Sequence, residues 1–310
     1  LRPEFLRPKE QVAIIAPSGR VFPEELKAGT KLIQEWELIP VSGQHLFADY
    51  YAGYHYAGTV EQRAEELQKA LDNPDIKAIW FARGGYGAVH LLEKINWNHF
   101  YQKPKWLIGY SDITVLHNHV NLQNIASIHG VTVKRLNTKY SCETFNTLKN
   151  MLFGEIKPYQ TPHHPYNYLG EASGKLMGGN LSLIYSLMGS KTELKGDGCI
   201  LFIEDWCENW YHLDRMLMNL KRCGLLNRIK GLIVGSFTRM DIENENLDFL
   251  MDFDPLSMQI IHNFMKEFKI PVCYGFPAGH IGDNRALMMG VEVHLNVTKD
   301  FTTLEFKTDE

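Results

Sequence analysis

Residues 104–120 read PKWLIGYSDITVLHNHV. Trp106, Leu107 and Ile108 form a short apolar run that ends at Gly109. Beyond Tyr110-Ser111-Asp112, the apolar residues Ile113, Leu116 and Val120 recur at helical spacing. The pattern predicts a strand that turns sharply into a helix, with a serine at the corner. Such a corner lifts the Ser111 hydroxyl clear of the sheet edge, and the N–H of Asp112 points the same way at the start of the helix. Capping is the competing explanation, because Ser and Asp are both favoured N-caps. From the local residues alone capping is the better reading, since Gly-Tyr-Ser-Asp-Ile lacks the second glycine of an α/β-hydrolase elbow.

Outward from this corner, strand-like and helix-like segments alternate. QVAIIAP is a buried-strand run, and a helical stretch follows over about 24–36 before a short strand in LIPVSG. TVEQRAEELQKALDN has Thr59 as its cap and the apolar spacing of a helix. IKAIWFA is the next buried strand, closed by RGGYG ahead of a helix predicted over AVHLLEKI. Alternation of this kind favours a mainly parallel sheet covered by helices on both faces. Between Phe153 and Leu169 the pattern breaks into a Pro-, Tyr- and His-rich stretch that reads as a linker. Strands and helices resume in NLSLIYSLMG, CILFIED, YHLDRMLMNLKRCG, GLIVGSF, LSMQIIHNFMKEF and IPVCYGF, and ALMMGVEVHLNV closes the chain with alternating β character. The expected fold is α/β: an N-terminal, mainly parallel α/β sandwich domain over 1–152, a linker over 153–169, and a smaller C-terminal α/β domain with a partly antiparallel sheet over 170–310.

The chain has 310 residues, 45% of them hydrophobic and 22% charged, with a net charge of -4. That is an ordinary globular composition, and the charge argues against nucleic acid or an anionic membrane as the main partner. No apolar stretch is long enough to span a bilayer. The five cysteines, Cys142, Cys199, Cys207, Cys223 and Cys273, are odd in number, scattered and form no CxxC pair. They point to a reducing compartment, and a cytoplasmic location is the expectation.

Several positions can carry chemistry. The glycines of Arg83-Gly84-Gly85-Tyr86-Gly87 let backbone N–H groups turn toward a ligand, either a phosphate or an oxyanion. A plain tight turn is as good a reading. Glu204 and Asp205 end a buried strand, where open parallel sheets place functional groups, and alternation lets only one of them serve a given site. His280 lies in a glycine-rich loop with little core to satisfy it. Metal ligation is disfavoured: His117 and His119 do not share a helix face, and His163 and His164 lack a carboxylate at ligand spacing.

With Ser111, Glu204 and His280 set beside the glycine loops, the chain resembles the LD-carboxypeptidase family, which contains muramoyl-tetrapeptide carboxypeptidases and microcin C resistance hydrolases. The resemblance runs in order through VAIIAPSGR, ARGGYGA, IGYSDITVLH, IHGV, GKLMGGNLSLI, LFIEDWCENWYHLDRMLMNLKRCGLL, GLIVGSF and PVCYGFPAGH. It implies a serine peptidase with Ser111 as nucleophile, His280 as general base and Glu204 orienting the imidazole, in a cleft between the two domains of a homodimer. It implies no metal and no organic cofactor. The oxyanion would be held by the N–H of Asp112 with that of Gly84 or Gly85. Arg83 is the candidate partner for a terminal carboxylate. Asn180 either lines the cleft or caps the next helix. The implied reaction removes the terminal D-alanine from a murein tetrapeptide in peptidoglycan recycling. The alternatives are a microcin C-type peptidyl-nucleotide hydrolase and a non-catalytic phosphate or nucleotide-binding module. An acidic stretch over 238–254 separates Glu204 from His280 in a position to shape substrate choice.

Overall fold

The computed structural model describes residues 1–136, 140–241 and 252–307. The N-terminal half runs β1 (Gln11–Ile15), α1 (Pro23–Glu35), β2 (Ile39–Ser42), β3 (Tyr50–Tyr51), β4 (His55–Tyr56), α2 (Val60–Asp72), β5 (Ile76–Phe81), α3 (Asn98–Gln102), β6 (Trp106–Gly109), α4 (Thr114–Leu122), β7 (Ser127–His129) and α5 (Cys142–Phe153). The rest runs β8 (Tyr159–Pro162), β9 (Gly170–Asn180), α6 (Leu181–Ser186), β10 (Ile200–Trp206), α7 (Trp210–Arg222), β11 (Gly231–Thr238), α8 (Pro255–Met265), β12 (Val272–Tyr274), β13 (Leu287–Met289), β14 (Glu292–Val297) and β15 (Phe301–Phe306).

Local chemistry explains most of these boundaries. Thr59 and Gln62 close α2 with a reciprocal capping box, Gln62 N donating to Thr59 Oγ1 at 3.2 Å and Thr59 N to Gln62 Oε1 at 2.9 Å. Strand β5 is buried at every position but Lys77, as a central parallel strand covered on both faces must be. The helix predicted over AVHLLEKI is cut to a 3₁₀ turn over Ala88–Leu91. There Trp97 Nε1 donates to the Leu92 carbonyl at 3.1 Å, taking an acceptor that a continuing helix would have used.

Two sheets form a two-domain α/β architecture. The first has the order β13-β7-β6-β5-β1-β2, and the second β12-β11-β10-β9-β14-β15-β8. The first is parallel except for β13, which comes from late in the chain and pairs antiparallel with β7. The second is parallel from β9 to β12 and antiparallel from β9 through β14 and β15 to β8. Strand β9 joins the two regimes, pairing β14 with its first part and β10 with its last. The stretch 153–169 does more than link: it supplies edge strand β8, and Tyr159 Oη donates to the Ala286 carbonyl at 2.6 Å.

Strand alternation sorts the apolar residues into layers. Ala13 and Ile15 face one cluster with α2 and α4, while Val12 and Ile14 face another with α1. Ile200 and Phe202 join that second cluster from the other sheet, and Leu201 and Ile203 face the helices beyond. One apolar layer therefore belongs to both lobes.

Candidate active site

Strand β6 delivers the chain to Ser111, whose φ is +63°, a left-handed conformation rare for any residue with a Cβ. Holding a serine there costs on the order of 1–2 kcal/mol, so the surroundings must over-determine it. Asp112 does much of this. It is fully buried, and its Oδ2 accepts from Ser18 Oγ at 2.5 Å and from Ala88 N at 2.8 Å. Buried Arg63 adds a second tie, donating to the carbonyls of Pro17 (2.6 Å) and Gly87 (2.9 Å). Burial pushes the Asp112 carboxyl above the usual carboxylate range. The capping alternative fails here: Tyr110 and Ile113 occupy the cap positions of the 3₁₀ turn and of α4, and neither caps with its side chain.

The glycine loop leans directly on this corner. A Cβ on Gly84 would stand 3.0 Å from Ser111 Cβ and 3.2 Å from Ser111 Oγ, tight enough to push the hydroxyl aside. Gly85, at φ +108°, is in a conformation strained for any residue with a Cβ, and a Cβ there would also displace Tyr54 Oη, 2.2 Å away. Gly19 N donates to the Gly84 carbonyl at 3.1 Å and Arg63 to that of Gly87, so the loop is held at both ends.

The opposite wall comes from the C-terminal lobe. Glu204, fully buried at the end of β10, accepts from His280 Nδ1 at 2.7 Å. Because the carboxylate can only accept, Nδ1 carries the proton and a neutral ring leaves Nε2 as its base. The His280 backbone N donates to Ser236 Oγ at 2.9 Å. Its ring lies between Tyr110 (centroids 4.7 Å apart) and Trp206 (5.7 Å, planes 16° apart). Gly279, at φ +120°, permits the approach: a Cβ there would sit 2.3 Å from Ser236 Oγ and 2.9 Å from Glu204 Oε2.

Ser111 and His280 line one cleft of about 210 Å³ together with Arg83, Gly84, Gly85 and Asn180. Tyr110, Thr132, Lys134, Ser182, Leu183, Asp205 and Trp206 complete the lining. No hydrogen bond joins Ser111 to His280 among the described residues, and such bonds are often long before substrate arrives. The register shift beside this pair lies on β11, at Gly235-Ser236, while β10 keeps its regular pairing with β9. Glu204 and Asp205 therefore have different partners: Asp205 lines the cleft itself and Glu204 reaches it through His280. Asp205 does not meet His280; it accepts from Asn180 Nδ2 (2.9 Å), Trp206 N (2.8 Å) and Ser182 N (2.9 Å). Burial, reinforced by the adjacent Glu204 charge, holds its carboxyl well above the usual range. Asn180 fulfils both of its expected alternatives, lining the cleft while its Oδ1 accepts from Leu183 N at 3.2 Å to cap α6.

The other histidines fall into place. His117 is fully buried, donates from Nε2 to the Gly109 carbonyl at 2.8 Å and meets Ser127 Oγ with Nδ1 at 2.8 Å. Burial pulls its pKa down to about 4, so it is a neutral structural ring. His163 Nδ1 donates to the Thr298 carbonyl at 3.2 Å. Among the described residues no group of three His, Cys, Asp or Glu side chains is arranged for a metal ion. No described helix is long and apolar enough to cross a membrane. Of the acidic stretch 238–254, residues 242–251 lie outside the described residues. Sequence reasoning missed the Asp112 side chain and Lys134. Only distant contacts reveal their positions, although Trp206 was signalled by standing directly after Asp205.

Comparison with known proteins identifies the family. The profile of the LD-carboxypeptidase N-terminal domain matches residues 12–130, and that of the LD-carboxypeptidase C-terminal domain matches residues 173–295. The murein tetrapeptide carboxypeptidase of Pseudomonas aeruginosa is 30% identical over 290 residues, covering 90% of this chain and 91% of its own. The microcin C7 self-immunity protein MccF of Escherichia coli is 23% identical, covering 91% and 92%. The crystal structure of muramoyltetrapeptide carboxypeptidase from Oxalobacter formigenes superposes with a TM-score of 0.83 at 25% identity, covering 96% of this chain and 99% of that one.

Proposed function

The chain belongs to the LD-carboxypeptidase family, and we propose that it is a serine peptidase that removes the terminal D-alanine from a murein tetrapeptide, by cutting the amide between an L-diamino acid and D-alanine. The observation that carries this reading is the 2.7 Å contact between His280 Nδ1 and a fully buried Glu204, in the cleft that also presents Ser111 on a left-handed backbone.

Ser111 Oγ attacks the scissile carbonyl while His280 Nε2 takes its proton, a step a serine needs because its hydroxyl is a weak nucleophile. Glu204 fixes the ring's tautomer and stabilises the imidazolium. The N–H of Asp112 and that of Gly84 or Gly85 hold the oxyanion, each donor contributing about 3 kcal/mol. The imidazolium then protonates the departing D-alanine amine. Water, deprotonated by the same ring, frees Ser111 from the acyl group. Arg83 receives the terminal carboxylate, and Asn180, through Asp205, shapes the wall opposite. We also propose a cytoplasmic homodimer, for which light scattering and cell fractionation are the tests.

A second reading keeps the same triad and changes the pocket: hydrolysis of a microcin C-type peptidyl nucleotide. The ring of Trp206, 37% exposed at the cleft, favours it by offering a face for a base to stack on. The deciding experiment supplies disaccharide-tetrapeptide and an aminoacyl sulfamoyl adenylate separately, with Ser111→Ala as control. Release of D-alanine by the wild type but not by the variant is expected. Cleavage of the adenylate alone moves the assignment to the second reading. Nucleotide binding without turnover of either compound makes the protein a binding module.

A further inference from the structure

The basic and acidic side chains that line the cleft are Arg83, Lys134, Asp205 and His280. The C-lobe pair is committed, His280 to Glu204 and Asp205 to Asn180, Ser182 and Trp206. The two cations stand on the N-lobe wall. Arg83 Nη1 donates to the Arg20 carbonyl at 2.6 Å, which fixes the guanidinium beside the glycine loop. A Cβ on Gly19 would come within 3.2 Å of Arg83 Nε, so a glycine there leaves room for that guanidinium. Lys134 lies in the 3₁₀ turn over Val133–Arg135 that follows β7, and its backbone N donates to the Ala82 carbonyl at 2.8 Å. This bond ties it to the residue before Arg83.

Lys134 Nζ pairs with Glu25 Oε1 at 2.7 Å, with side-chain exposures of 20% and 29%. Glu25 Oε2 is held in turn by the Phe22 backbone N at 2.9 Å. An ammonium has three donors, so Glu25 can aim Lys134 and still leave it N–H groups for a ligand. Two cations and one carboxylate leave a single surplus positive charge at this end of the cleft, which suits one further carboxylate.

We propose that Lys134, aimed by Glu25, works with Arg83 as the recognition site for the substrate's terminal carboxylate, so that Lys134 makes the enzyme an exopeptidase. This rests on the carboxypeptidase reading above. Arg83 supplies planar donors and Lys134 a point charge. A carboxylate spanning the two is held against sliding, whereas a terminal amide leaves Arg83 without an anion and gives Lys134 none beyond Glu25.

The test measures binding in the Ser111→Ala background, where turnover does not interfere. Tetrapeptide ending in D-alanine and the same peptide ending in D-alaninamide are titrated by calorimetry. The free acid should bind at least about tenfold more tightly, the value of one charge-assisted hydrogen bond. Adding Lys134→Met should erase most of that ratio, and Lys134→Arg should restore much of it. In the active enzyme, Lys134→Met should raise KM for the acid with a smaller effect on kcat. Equal binding of acid and amide by the Ser111→Ala protein, or binding of neither, overturns the proposal. So does a Lys134→Met variant that weakens both peptides equally, the mark of a lysine that only braces α1. Wild-type enzyme that releases no D-alanine defeats the carboxypeptidase reading instead, and the acid-to-amide binding ratio still judges Lys134.

Discussion

On the N-lobe wall of the cleft the backbone sets the shape; on the C-lobe wall the side chains do. Ser111 sits at φ +63°, and Gly84 stands where a Cβ would touch its hydroxyl. Across the cleft, His280 and Glu204 have no such strain of their own, and they are ordered by a 2.7 Å contact and a pair of flanking rings. Strain on one side is held by a buried polar hub at Asp112. Order on the other is held by packing and by one glycine. The two walls should therefore fail differently: the backbone wall through its tethers, the side-chain wall through anything that moves the imidazole.

The largest effect is expected at Gly279. A methyl group there meets Glu204 Oε2 at 2.9 Å and Ser236 Oγ at 2.3 Å, at a φ of +120° that alanine resists. Gly279→Ala should lower kcat for D-alanine release by on the order of 10³-fold, comparable to losing the group that orients a catalytic histidine. The far-UV spectrum should be unchanged. Activity within tenfold of wild type would mean that the His280–Glu204 pair tolerates displacement.

A smaller loss is expected at the hub. Asp112→Ala strands the buried Ser18 hydroxyl and the Ala88 N–H, at about 1–3 kcal/mol each. Thermal melting should fall by several degrees, and kcat should drop by about 10- to 100-fold with KM little changed. Asp112→Asn keeps one acceptor and should fall between. An unaltered kcat in a destabilised Asp112→Ala protein would separate the hub from the serine corner.

The smallest effect is a pH slope. His117 is neutral in the fold, with its pKa lowered to about 4 by burial, whereas in an unfolded chain it titrates near 6.5. As pH falls from about 6.5 toward 4 the unfolded state gains a proton that the fold refuses, so this histidine's contribution declines over that window. His129, held well below its usual value by burial and by His117 and His280, acts with the same sign. Asp112 and Asp205, raised by burial, act with the opposite sign. His117→Asn should be less stable at pH 7 yet lose less of its urea midpoint between pH 7 and 4.5. An identical slope would assign the acid sensitivity elsewhere.

How legible each wall was follows from how it is made. Apolar runs and helical spacing reveal β1, β5, β6, α2 and α7, because burial on a repeating face leaves a period in the sequence. Gly84 and Gly85 stood out because backbone conformations that exclude a Cβ leave glycines behind. The corner at Ser111 was readable as a corner, but local residues favoured a cap, and only the contacts of Asp112 show otherwise. Partnerships such as Glu204 with His280 span 76 positions, and no local pattern encodes them; resemblance to a family brought them together. The ties that hold Asp205 to Asn180 and Ser182, and the late strand β13 that completes the first sheet, depend on partners far along the chain. Such partners leave no mark on their own neighbours.

One measurement bears most directly on whether the two walls form a single machine: kcat/KM for the tetrapeptide in Ser111→Ala, His280→Ala and the double variant. Groups that act on the same proton lose their effect together, so the double variant should be no slower than the slower single one. Losses that multiply would mean that hydroxyl and imidazole act independently, and the site described here would not be the one that cuts.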